Sequence, residues 1–65
     1  MVKVFIEREH RDVALDYRGG IRPLLERLGV NPETIIVVKN GQIVTEDESC
    51  GADDELKLLS VISGG

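Results

Sequence analysis

Cysteine is almost missing from this chain. Cys50 stands alone among 65 residues, so no disulfide can form within it. C-x-x-C and zinc-ligand spacings are absent as well. Long apolar runs are also lacking. The longest, Ile35 to Val38, is far short of the roughly 20 residues that cross a bilayer. Near the N-terminus the charged Glu7-Arg8-Glu9 interrupts any signal-peptide apolar region. The expectation is a cytoplasmic, reduced protein with no membrane as partner. Excess positive charge is missing too. Net charge is −4 and the pI is near 4.8. Such a chain repels phosphate, which argues against nucleic acid and for a basic surface on another protein.

Size imposes a further exclusion. A chain this short makes one small domain, and it buries only about 60% of the surface its unfolded form exposes. No space remains for a core plus an enclosed active site, which argues against a free-standing enzyme. His10 is the single histidine, and it falls in a polar turn. Nothing in the sequence brings it to Cys50 as a nucleophile pair. The acidic stretches Glu46-Asp47-Glu48 and Asp53-Asp54-Glu55 do not have the spacing of a calcium loop. They read either as a solvated loop or as a feature that steers a basic partner. No bound metal or cofactor is expected.

What is present is a regular alternation of patterns. Val2, Val4 and Ile6 alternate with Lys3, Phe5 and Glu7, the period of a half-buried strand. After a turn at residues 9–12, Val13, Leu15 and Tyr17 repeat it, predicting an antiparallel hairpin. Gly19-Gly20 ends that strand. Ile21, Leu24, Leu25 and Leu28 then recur at helical spacing, with Pro23 in the first turn and Gly29 as the stop. Thr34 to Lys39 reads as a buried strand. Asn40-Gly41 is a strong hairpin turn, because both residues tolerate positive φ. Residues 42–45 form the return strand, 46–55 an acidic loop, and 56–62 a last strand.

The order is β-β-α-β-β-β, an α+β fold with one helix on one face of a mixed sheet. Alternation places Leu56 and Leu58 under the helix. Phe5, Leu59 and Val61 then lie on the open face, where a contiguous apolar set marks a protein-binding surface. The expected division is a folded domain over 1–62 and a flexible Gly-Gly tail over 63–65.

This arrangement resembles the β-grasp, ubiquitin-like family. Leu28-Gly29-Val30-Asn31-Pro32-Glu33-Thr34, Lys39-Asn40-Gly41-Gln42-Ile43-Val44 and Val61-Ile62-Ser63-Gly64-Gly65 are similar to the sulfur carriers of thiamine biosynthesis. They are similar as well to the molybdopterin synthase small subunit and to the small archaeal modifier proteins. The resemblance implies an adenylating partner of the ubiquitin-activating type, which uses ATP and Mg²⁺ to convert the Gly65 carboxylate to an acyl-adenylate. Sulfur from a persulfide then yields a thiocarboxylate for a sulfur-accepting synthase. In the modifier branch a lysine amine attacks instead and forms an isopeptide bond, with Lys3, Lys39 and Lys57 as candidate acceptors in this chain. A plain binding module with an inert tail is the third reading.

The chemistry suits the residues. A carboxylate is a poor electrophile until a good leaving group is attached. Gly64 and Gly65 lack Cβ atoms and so fit a narrow channel. From Val61 to Gly65 the chain reaches roughly 13–17 Å. Ile62 and Ser63 join Phe5, Leu59 and Val61 as expected partner contacts. One departure stands out. Cys50-Gly51-Ala52-Asp53-Asp54-Glu55 is looser than the Asp-Gly-Asp turn common in these carriers, which leaves open the branch the chain serves: thiazole synthesis, molybdopterin synthesis, tRNA thiolation or protein modification.

Overall fold

The computed structural model describes residues 1–61. β1 (Val2–Ile6) turns Val2, Val4 and Ile6 into the core and Lys3 and Phe5 outward. A 3₁₀ turn at Glu7–Glu9 follows, closed by His10 in the left-handed region (φ 48°). β2 (Arg11–Leu15) then pairs antiparallel with β1, Val2 opposite Leu15 and Ile6 opposite Arg11. The strand was expected to run through Tyr17 but stops at Leu15. Tyr17 leaves the ladder because its hydroxyl donates to the Gly20 carbonyl at 2.6 Å.

Gly19–Gly20, read from sequence as the end of the second strand, forms a two-residue strand, β3. Its partner lies inside the stretch read as an acidic loop. Ser49–Cys50, β6, pairs with it antiparallel. Two residues are too few to show a period, so neither strand is visible as pattern.

α1 (Ile21–Leu28) buries Ile21, Leu24 and Leu25, as its spacing requires, and leaves Leu28 half-buried. No side chain caps its start. Instead the N–H groups of Ile21 and Arg22 donate to the Glu48 and Glu46 carbonyls at 2.9 and 3.1 Å. The acidic loop thereby satisfies two of the donors that every helix start leaves open. At the far end Gly29 (φ 74°) donates to the Glu26 carbonyl and Val30 to the Leu25 carbonyl, a Schellman closure.

β4 (Ile35–Lys39) and β5 (Gln42–Val44) form the second hairpin around Asn40 and Gly41, at φ 50° and 84°. β7 (Glu55–Ser60) completes the sheet. The strand order is β2-β1-β7-β4-β5, with β1 and β7 parallel and the other neighbours antiparallel. This is the mixed sheet with one helix expected of a β-grasp, and its main elements follow the predicted order. The last strand is one residue earlier at its start and shorter at its end than expected. Val61 nonetheless extends the ladder, donating to the Thr34 carbonyl at 3.0 Å. The expected boundary between residues 62 and 63 lies outside the described residues.

The core joins Val2, Val4 and Ile6 to Ile21, Leu24, Leu25, Val37, Cys50, Leu56 and Leu58. β4 departs from the expectation of a buried strand. Only Val37 is buried, while Ile36 and Val38 turn to the other face. Among the described residues no helix is long and apolar enough to cross a membrane.

A domain of this length has a total stability of roughly 3–10 kcal/mol. Leu24 is fully buried at the centre of the helix contact. Leu24→Ala is expected to cost about 2–5 kcal/mol, a large share of the total, read as a lower midpoint in urea denaturation.

Candidate functional site

The sheet has two unlike faces. The helix covers one. The other is open, and the pairing registers align its residues in rows. The row nearest the end of β7 pairs Leu59 with Ile36. The next runs across five strands as Asp12, Phe5, Lys57, Val38 and Ile43. The third carries Ala14, Lys3 and Glu55. Val61 lies one step beyond the first row, opposite Thr34, and is 47% exposed.

Three of the residues expected at a partner surface therefore fall on this one face. Phe5 and Leu59 are half-buried there, and Val61 is exposed. Ile62, Ser63, Gly64 and Gly65 lie outside the described residues. Sequence reasoning missed Ile36, Val38 and Ile43. The signal was available in the hairpin. A two-residue Asn40-Gly41 turn sets Lys39 opposite Gln42 and Val38 opposite Ile43, so Ile43 (76% exposed) had to share the face of Val38. The uniformly apolar Ile35–Val38 run hid this, because an unbroken apolar run reads as a strand covered on both faces.

The turn that feeds β7 is locked from two sides, by Asn40 and by Gly51. The Asp54 carboxylate accepts from the Asn40 side-chain amide at 2.9 Å and from the Gly51 N–H at 3.0 Å. Asn40 also accepts from the Glu55 N–H through its side-chain oxygen at 2.9 Å, and its backbone N–H donates to the Glu55 carbonyl at 2.8 Å. The first of these bonds holds the Asp54 carboxyl below the usual carboxylate range, and the Gly51 N–H adds to it. The looser turn seen in the sequence is thus closed by Asp54 and an asparagine from the neighbouring hairpin.

The acidic loop is partly consumed inside the fold. Arg22 donates through Nε to Glu46 at 2.9 Å and through its terminal nitrogen to Asp47 at 3.1 Å. The Glu46 bond, together with the charges of Glu46 and Asp47, raises the Arg22 pKa. Lys39 donates to the Ser49 carbonyl at 3.2 Å, with Glu48 at 3.9 Å. Much of this run ties the loop to the helix and sheet.

Cys50 is buried in β6, and burial, reinforced by Asp54, pushes its thiol pKa up. A thiolate nucleophile is disfavoured there. His10 is exposed in its turn at the end of the 3₁₀ segment. Among the described residues no group of three or more His, Cys, Asp or Glu side chains is placed to hold a metal. A depression on the open face is lined by Val38, Asn40, Gly41, Glu55 and Lys57.

A mixed five-stranded sheet, a single helix across one face and a central last strand define a ubiquitin-like β-grasp protein. The family model for small archaeal modifier protein 2 matches residues 1–62, and the chain belongs to that family. It is 37% identical over 57 residues to the sulfur carrier protein TtuB of Thermus thermophilus, covering 88% of each chain. It is also 37% identical over 62 residues to an uncharacterized protein of Archaeoglobus fulgidus, covering 94% of this chain and 91% of that one. The protein is accordingly a ubiquitin-like sulfur carrier or modifier, the kind of protein that an activating enzyme serves.

The lock at Asp54 has a consequence in acid. Its folded pKa lies below the unfolded value of about 3.9. Its contribution to stability is therefore present above pH about 4 and is lost as pH falls through the folded value. Asp54→Asn is expected to flatten the acid limb of a thermal-melt profile taken between pH 2 and 5. An unchanged slope would show that the lock contributes nothing.

Proposed function

We propose that the chain is a protein co-substrate whose working group is the Gly65 carboxylate. A partner enzyme adenylates it with ATP and Mg²⁺, releasing pyrophosphate. The outer sulfur of a persulfide then displaces AMP to give an acyl disulfide, and a thiol attacks the donor's sulfur, forming a new disulfide with it and leaving a C-terminal thiocarboxylate for transfer to an acceptor. The observation that carries this reading is the central position of β7. The strand that leads to Gly64-Gly65 is held on both edges, by β1 and β4. A rigid base for the chain end suits delivery into a partner's nucleotide site. The 37% identity to a sulfur carrier supports the same branch.

The open face is the docking surface in this reading, with Phe5, Leu59 and Val61 as contacts, extended by Ile36, Val38 and Ile43. Residues 63–65 carry the working carboxylate in this reading. No cofactor resides on the chain, and ATP and Mg²⁺ belong to the partner.

The family name favours a second reading, conjugation of the same carboxylate to lysines of other proteins. The two share the adenylation step and differ only in the attacking group, sulfur or amine. For conjugation to a second copy of this chain, the three lysines are unequal acceptors. Lys39 is held by Ser49 and Glu48, whereas Lys3 and Lys57 are exposed.

Incubation with an adenylating enzyme from the same genome, ATP and a persulfide donor is expected to raise the intact mass by one oxygen-to-sulfur exchange. Removing Gly65 is expected to abolish the change and leave the melting temperature unaltered. An unchanged mass in the full chain, despite ATP–pyrophosphate exchange, would sink the carrier branch. Gly-Gly remnants on lysines of cellular proteins would establish the modifier branch.

A further inference from the structure

Net charge suggested a basic partner, but the open face does not share that charge. It carries Lys3 and Lys57 against Asp12 and Glu55, two of each sign, on a chain whose total is −4. The acidity lies elsewhere, notably in the loop that Arg22 and Lys39 hold. Lys57 is the one charge set among apolar neighbours. Phe5 flanks it on β1 and Val38 on β4, and Leu59 stands two residues along β7 toward the chain end. Among the described residues the ion pairs engage the N-terminal amine, Arg11, Arg22 and Lys39, not Lys57. Glu55 is two residues away on the same strand, about 6.6 Å by strand rise, and makes no ion pair with it.

A partner that covered this face with apolar groups alone would strand the ammonium out of water, at a large cost. A basic partner would add like-charge repulsion. The geometry points to a partner whose docking surface is apolar and carries one carboxylate opposite Lys57. This rests on the reading of the open face as the docking surface. Lys57 also lines a depression on this face with Val38, Asn40, Gly41 and Glu55. Lys57 sets which partner docks, and in what register, through charge placed inside an apolar patch.

The test is titration calorimetry of the full chain against the adenylating enzyme from the same genome, with melting curves confirming that each variant folds. Lys57→Glu is expected to weaken binding about 100-fold, and Lys57→Met, which keeps the aliphatic stem, about tenfold. Lys57→Arg is expected to stay within about threefold, because it retains the positive charge. Lys3→Glu, in the outer row, is expected to stay within a similar range. Leu59→Ser tests the docking surface itself and is expected to weaken binding about tenfold or more. If Leu59→Ser weakens binding and Lys57→Glu does not, the opposing carboxylate is wrong and the docking face stands. If neither variant changes binding, the docking face fails and this inference fails with it. Tighter binding by Lys57→Glu would mean a basic partner and overturn the inference.

Discussion

The last strand of the chain is laid between β1 and β4, and most of the structure depends on that placement. β7 hydrogen-bonds on both edges and supplies Leu56 and Leu58 to the core. Without it β1–β2 and β4–β5 are two separate hairpins, each too small to be stable in water. Because β7 is parallel to β1, a crossover must separate them in sequence. The helix and second hairpin fill that interval. The same placement carries Val61, the last described residue, out along the sheet's central strand.

A strand inserted last in sequence must be guided into register, and the turn ahead of it does this. Asn40 holds Asp54 and Glu55 from the hairpin side, while Gly51 holds Asp54 from the loop side. A one-residue slip of β7 would turn Leu56 and Leu58 outward and bring Lys57 into the core. The acidic loop serves the fold in a similar way. Its carbonyls close the start of the helix, and its carboxylates grip Arg22. Two features that look like functional surface in the sequence are thus largely internal supports.

The division of labour between faces follows from size. A domain of 65 residues has one core, and a single helix covers one side of its sheet. The other side keeps Ile36, Val38 and Ile43 on one face with Phe5 and Leu59. The chain carrying this face belongs to a family of small modifier proteins and is similar to a sulfur carrier.

Local pattern determined much of this from the sequence by itself. Alternation in Val2–Ile6, the leucine spacing of the helix, Gly29 as its stop and the Asn40-Gly41 turn each depend on near neighbours in the chain, so each was legible. So was the parity that turns Phe5 and Leu59 away from the helix. Only the tertiary structure decided what depends on residues far apart. It set Gly19–Gly20 beside Ser49–Cys50, drew Tyr17 off its strand, and closed the Asp54 lock with an asparagine fourteen residues upstream. It also split Ile35–Val38 between two faces, since an unbroken apolar run does not reveal which side a helix will cover. The location of charge belongs to the same group. Composition sums charge over the whole chain, whereas a docking face presents only the residues that strand register brings together.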